Sequence, residues 1–149
     1  MNKLWLGFAA VIVYGSIYPF NFEAKELDAE TVLTFILSCC YSASRGDILG
    51  NVVLFLPFGF LGIVSARDGA SLLTRAGIVA LTGTALALAV QIAQIYLPTR
   101  NESLLDVGWN FIGIVGGMLF GAGIQRSFLR ADLRVERGEL IPALLVASW

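Results

Sequence analysis

The sequence has no histidine, two cysteines and four prolines, and charged residues make up only 14% of its 149 positions. Without histidine, the side chain that most readily exchanges a proton near neutral pH is missing. The two cysteines are neighbours, Cys39 and Cys40, within an apolar run from Val32 to Cys40. Adjacency suits neither a metal site nor an ordinary structural disulfide, and free cysteine behaves as a small hydrophobe, so packing is their expected role. A formal net charge of −1 carries no basic footprint for nucleic acid. No ligand spacing points to a metal or to any other cofactor.

What is abundant is apolar. Hydrophobic residues make up 57% of the chain, and mean hydropathy is +0.78, well outside the range of a soluble globular domain. Four windows contain no charge at all: 4–22, 48–66, 76–99 and 107–125. Each reaches about the 20 residues that cross a hydrocarbon core of ~30 Å at ~1.5 Å per residue. The expected fold is therefore all-α, a polytopic membrane bundle of four transmembrane helices. Little chain remains for a separate soluble domain, so residues 1–125 form the transmembrane domain. Residues 126–149 follow as a basic cytoplasmic tail with an apolar C-terminal segment.

Local signals refine this outline. The first window resembles a secretory signal, but the bulky Tyr18-Pro19-Phe20 offers no cleavage site. It reads as a retained helix with Trp5 and Tyr18 near the two interfaces. In the loop 23–47, Asp28 is an expected N-cap for a short helix over Thr31–Tyr41, too short to span and suited to the interface. Pro57 removes a backbone hydrogen bond from the second span and predicts a kink or break there. Pro98 stops the third span at Leu97. In the fourth, Gly113, Gly117 and Gly121 recur every four residues, a stripe along which helices approach closely. Arg126, Arg130, Arg134 and Arg137 then share one face of a helix beyond the span. They flank it as a stop-transfer signal or meet anionic headgroups. Leu140–Trp149 is uncharged and too short to cross, suiting an interfacial anchor or the start of a further helix.

Basic residues divide unevenly between the two sides. Lys3, Arg67, Arg75 and the four tail arginines fall on one side, and Lys25, Arg45 and Arg100 on the other. The positive-inside rule places both ends of the four-helix region in the cytoplasm and loops 23–47 and 100–106 outside.

Polar residues inside spans are costly unless paired, so they mark inward faces. Asp106, Asn110, Gly113, Gly117 and Gly121 lie on one face of the fourth helix. Gly83, Ala87, Gln91 and Gln94 align on the third, and Asn51, Phe55, Gly59 and Gly62 on the second. Their amides gather in the outer half, with Gln91 ~10 Å below the helix end. Above them stand Arg45, Asp47, Arg100, Glu102 and Asp106. The candidate binding residues are Asn51, Gln91, Gln94, Arg100, Asp106, Asn110 and Arg45. Two roles fit: interhelical hydrogen bonds that hold the bundle together, or a pocket in which the arginines hold an anionic group while amides bind sugar hydroxyls or a headgroup. Asp47, Glu102 and Asp106 are candidate bases for catalysis, yet no histidine or activated nucleophile stands near them in sequence.

Three motifs occur in order: Asn51-Val-Val-Leu-Phe-Leu-Pro57-Phe-Gly59; Gln91-x-x-Gln94 followed by Pro98-Thr-Arg100; and Asp106-x-x-x-Asn110-x-x-Gly113. Together they resemble the VanZ-like family of bacterial integral membrane proteins over residues 4–125. That resemblance implies a small multi-pass protein of the bacterial cytoplasmic (inner) membrane, linked with the cell envelope and, in the family's namesake, with lowered sensitivity to teicoplanin. It supplies no reaction. Asn51, Pro57, Gly59, Gln94, Arg100, Asp106 and Asn110 match the family pattern. Many members carry a glutamate where this chain has Gln91, and losing that carboxylate favours binding or structure over catalysis. The expectation is an envelope protein that binds a membrane lipid or lipid-linked glycan at an outward-facing pocket. An interaction module for membrane-protein partners of envelope synthesis is the alternative, and a lipid-modifying enzyme a third.

Overall fold

The computed structural model describes residues 3–38, 44–65, 71–100 and 103–136. Five helices follow one another: α1 (Lys3–Ile17), α2 (Ala29–Leu37), α3 (Arg45–Val64), α4 (Leu72–Gln94) and α5 (Leu104–Glu136). No strand occurs among the described residues. Three helices are long and apolar enough to cross a membrane: α3, α4 and the Leu104–Ser127 stretch of α5. At 15 residues, α1 is shorter than that. Cys39, Cys40, Arg67, Glu102, Arg137 and the segment 140–149 lie outside the described residues, as do the side chains of Arg130 and Arg134.

Helix ends follow local chemistry. Asp28 is the N-cap of α2, its carboxylate accepting the Thr31 backbone N–H at 2.8 Å. Ser44 and Ser71 cap α3 and α4 in the same way, through the N–H groups of Asp47 and Thr74. At its far end α4 stops at Gln94, three residues before the expected Leu97. A tighter turn follows, with Ile95, Tyr96 and Leu97 each donating to the carbonyl three residues back. Proline disfavours helical backbone in the residue before it, and Pro98 acts on Leu97 in this way. The α3 helix runs unbroken past Pro57, although Val53 loses its helical donor there.

The inward faces are those the spacing predicts. Phe55, Gly59 and Gly62 of α3, Gly83, Ala87, Gln91 and Gln94 of α4, and Asn110, Gly113, Gly117 and Gly121 of α5 are buried. The α3–α5 pair packs backbone against backbone. A Cβ added at Gly59 would come within 2.1 Å of the Ile114 carbonyl oxygen, and one at Gly117 within 2.0 Å of that of Leu56. Only glycine permits this approach, which seats α5 against the turn that Pro57 weakens. Two further glycines make room for side chains, Gly62 for Val79 and Gly83 for Ile114 and Phe58.

The α1 helix packs on α3 and α4 through Trp5, Ile12 and Ser16, spaced i, i+7 and i+11. Trp5 is buried rather than at an aromatic belt. Its indole N–H donates to the Phe58 carbonyl at 3.2 Å, and its ring stacks at a tilt on Phe58. Buried tryptophan needs such a partner for its N–H. Tyr18, by contrast, is exposed and clusters with Tyr14 and Phe20. At the opposite end of the molecule, Arg75 and Gln125 both donate to the Ile63 carbonyl near the C-terminus of α3, where a cation also meets the negative end of the helix dipole.

Candidate functional site

One end of the bundle is not filled. The C-termini of α1 and α4 and the N-termini of α3 and α5 converge there around a cavity of about 860 Å³. Gly15 and Ser16 of α1 form one wall, and Asp47, Gly50 and Asn51 of α3 another. Gln91 and Gln94 line it from α4, Arg100 and Ser103 from the loop that follows, and Asp106 from α5. Across it lies α2, contributing Thr34, Phe35 and Ser38.

Hydrogen bonds hold these walls in register. Gln94 is buried and its Nε2 donates to the Ser16 carbonyl at 2.9 Å, tying α4 to α1. Gln91, 2% exposed, accepts the Ser103 backbone N–H at its Oε1, 3.0 Å away. This bond draws the connecting loop down onto α4, so Gln91 lies under folded chain instead of deep below an open helix end. Asn51 and Gln91 also hydrogen-bond the half-buried Asp106 carboxyl, which Asp47 approaches closely enough to act on by charge. The Ser38 hydroxyl accepts the Leu104 N–H at 2.8 Å and donates to the Phe35 carbonyl. It thereby satisfies one of the orphan donors of α5 and fastens α2 over the cavity.

Arg100 is exposed, with Nη2 donating to the carbonyls of Gly15 at 3.2 Å and Tyr18 at 3.1 Å. The same corner is closed by Thr99 donating to Asn21 and by the Glu23 N–H donating to the Tyr96 carbonyl. Part of the guanidinium thus caps α1, where its charge meets the negative end of the helix.

Of the seven sequence candidates, five line the cavity: Asn51, Gln91, Gln94, Arg100 and Asp106. Arg45 stands exposed at the first residue of α3 and is not among the lining residues. Asn110 is buried one helical turn below Asp106, and its Oδ1 finds no hydrogen-bond partner among the described residues. Sequence reasoning missed Ser16, Ser38, Gly50 and the α2 residues. Ser16 carried a readable signal as the last member of the Trp5–Ile12–Ser16 stripe, whereas Ser38 and Gly50 carried none. No group of three or more potential metal ligands occurs among the described residues.

The fold and site define a class: a small helical protein with membrane-spanning character and a polar cleft at one end of its bundle. A family model described as VanZ/LLP1 matches residues 5–125. The chain belongs to the VanZ/LLP1 family. Among curated proteins and among solved structures, none matches it.

Proposed function

We propose that this is a cell-envelope membrane protein of four crossings that receives a lipid or lipid-linked glycan headgroup in its polar cleft. The cleft itself carries the reading: about 860 Å³ of space lined by amides, hydroxyls, two carboxylates and an arginine, at the end where spans of strongly apolar residues stop. A bundle that used these groups only as glue would close over them, because polar groups in apolar surroundings stabilise only when paired and packed.

Two observations support the membrane arrangement. The α1 helix is apolar and runs beside α3 and α4 from the level of Phe58 to the cleft, which suits a fourth crossing. On α2, Val32, Leu33, Ile36 and Leu37 are all exposed, which suits an interfacial helix with its apolar side in lipid. With the positive-inside count, the cleft opens away from the cytoplasm of a bacterial inner membrane. The reading as an interaction module draws on the bonds that Gln91, Gln94 and Arg100 make within the chain, since those residues hold helices together whether or not a ligand binds.

Variants at Gln94 or Arg100 would disturb packing and binding together, so the test uses Gly50. It lines the cavity, and a Cβ there meets nothing within 4 Å. Gly50→Leu projects a four-carbon apolar side chain from the wall of the cleft and removes a helix-interior glycine, which by itself gains about 0.5–1 kcal/mol. The expected result is an unchanged or raised melting temperature with loss of lipid retained in native mass spectrometry. Retention equal to that of the parent protein would refute the cleft as the binding site.

A further inference from the structure

The hydrogen-bonding groups of the cleft are not evenly available. Several of its donors are already engaged by the protein, Arg100 through Nη2 alone. Gln91 gives its amide to Asp106, Asn51 does the same, Gln94 donates to Ser16, and Arg100 donates to two carbonyls of α1. The acceptors are in surplus. An ionised carboxyl has about four lone-pair sites, and Asp106 has two amide partners. The Asp47 carboxylate accepts from the Ser44 hydroxyl at 2.6 Å, its one such bond among the described residues, while its backbone N–H donates to the same oxygen. Charge points the same way, because Asp47 and Asp106 both line the cavity, whereas Arg100, the basic side chain among the lining residues, is drawn to the carbonyls of α1.

A site with spare acceptors, two neighbouring carboxylates and its basic group at the rim is complementary to a ligand that brings N–H donors and positive charge inward and negative charge outward. We infer that the cleft selects a zwitterionic headgroup, its primary ammonium lodged between Asp47 and Asp106 and its phosphate toward Arg100. An ammonium offers three donors with a full charge, and charge-assisted bonds to carboxylates are roughly twice as strong as neutral ones. A purely anionic headgroup would set its phosphate against the carboxylates without a matching cation. A trimethylammonium headgroup carries the charge but no N–H. This inference rests on the cleft being a lipid site and names the chemistry it selects.

The test presents the full chain in detergent with equimolar phosphatidylethanolamine, phosphatidylglycerol, phosphatidylcholine and a diglucosyl diacylglycerol, and reads retained lipid by native mass spectrometry. Phosphatidylethanolamine is expected to be retained over each of the others by about tenfold, equivalent to ~1.4 kcal/mol. Asp106→Asn and Asp47→Asn, nearly isosteric, should each erase that preference. Asp47 is exposed at the start of α3, so its variant answers the question even if Asp106→Asn fails to fold. Equal retention of phosphatidylglycerol or phosphatidylcholine, or a preference untouched by Asp47→Asn, overturns the inference. Retention of the glycolipid instead, lost in Gly50→Leu, overturns it while leaving the lipid-binding cleft standing. No lipid retained by the parent protein removes both.

Discussion

A methyl group at position 117 would have to occupy space held by the backbone of the neighbouring helix, with the Leu56 carbonyl oxygen 2.0 Å and the Phe60 nitrogen 2.7 Å from the new carbon. Backbone atoms cannot swing aside as a side-chain end can, so α3 and α5 must separate along their whole contact. Gly117→Ala is expected to destabilise by at least the ~1–3 kcal/mol typical of overpacking. Its neighbour provides the control, because a Cβ at Gly116 meets nothing within 4 Å. Gly116→Ala should stabilise by about 0.5–1 kcal/mol through helix propensity alone. Thermal unfolding of the two variants in the same detergent measures the difference. Equal behaviour would mean that the glycine stripe does not set the helix separation. At this scale the residue types were legible in the sequence and the partners were not. The four-residue period of Gly113, Gly117 and Gly121 announces a close contact, but nothing in it names Val52, Leu56 and Phe60 as the residues across the interface.

The element with fewest tertiary anchors is α2. None of its residues is buried, and it is held at its start by the Asp28 cap and at its end by the Ser38–Leu104 bond. The cap makes the element sensitive to acid. Hydrogen bonds from the backbone N–H and side chain of Thr31 hold the Asp28 carboxyl below its ordinary pKa of 3.8. A depressed folded-state value means that the cap contributes its full stability above the unfolded pKa and loses it as pH falls through the lower, folded one. The protection factor of the Thr31 amide should therefore be constant above about pH 5 and fall on acidification below 3.8. Asn caps helices as well as Asp and does not titrate, so Asp28→Asn should flatten the dependence while keeping the helix. A decline of equal size in that variant would place the acid-sensitive group elsewhere. The position of this helix could be read from Asp28 and the apolar run after it. Its placement across the cleft could not, because it depends on a hydroxyl at Ser38 meeting an N–H 66 residues away.

For the molecule as a whole, the helix directions make a simple topological statement. The segment after α1 is bonded to the segment after α4 through Glu23 and Tyr96, so both lie at the end where α3 and α5 begin. The C-terminus of α3 and the start of α4, joined by Arg75 on Ile63, lie at the other end. If the positive-inside rule governs this chain, a cysteine at position 26 should react with an impermeant maleimide added to intact cells. A cysteine at position 71 should react only after permeabilisation, with Cys39 and Cys40 replaced by alanine in both. The reverse pattern would turn the cleft toward the cytoplasm and exclude an envelope ligand arriving from outside.

The faces of the three long apolar helices were determined by the sequence alone, for a physical reason: charge is so costly in hydrocarbon that its absence over twenty residues, and the spacing of the few polar residues within, leave little freedom, whereas the first uncharged window, expected as a fourth span, forms a helix of 15 residues. The inward positions of Gln91, Gln94, Asn110 and the glycines followed directly. Only the tertiary structure decided what those side chains do. Gln91 holds down the loop bearing Ser103, Gln94 ties α4 to α1, and Arg100 closes the end of α1. Trp5 turned inward to a carbonyl of α3, although its place near a helix end suggested a belt. These partners lie 12 to 85 residues apart, and hydrogen-bond geometry between segments so distant depends on how the helices cross. Periodicity tells which way a side chain faces, and the packed backbone tells what waits for it there.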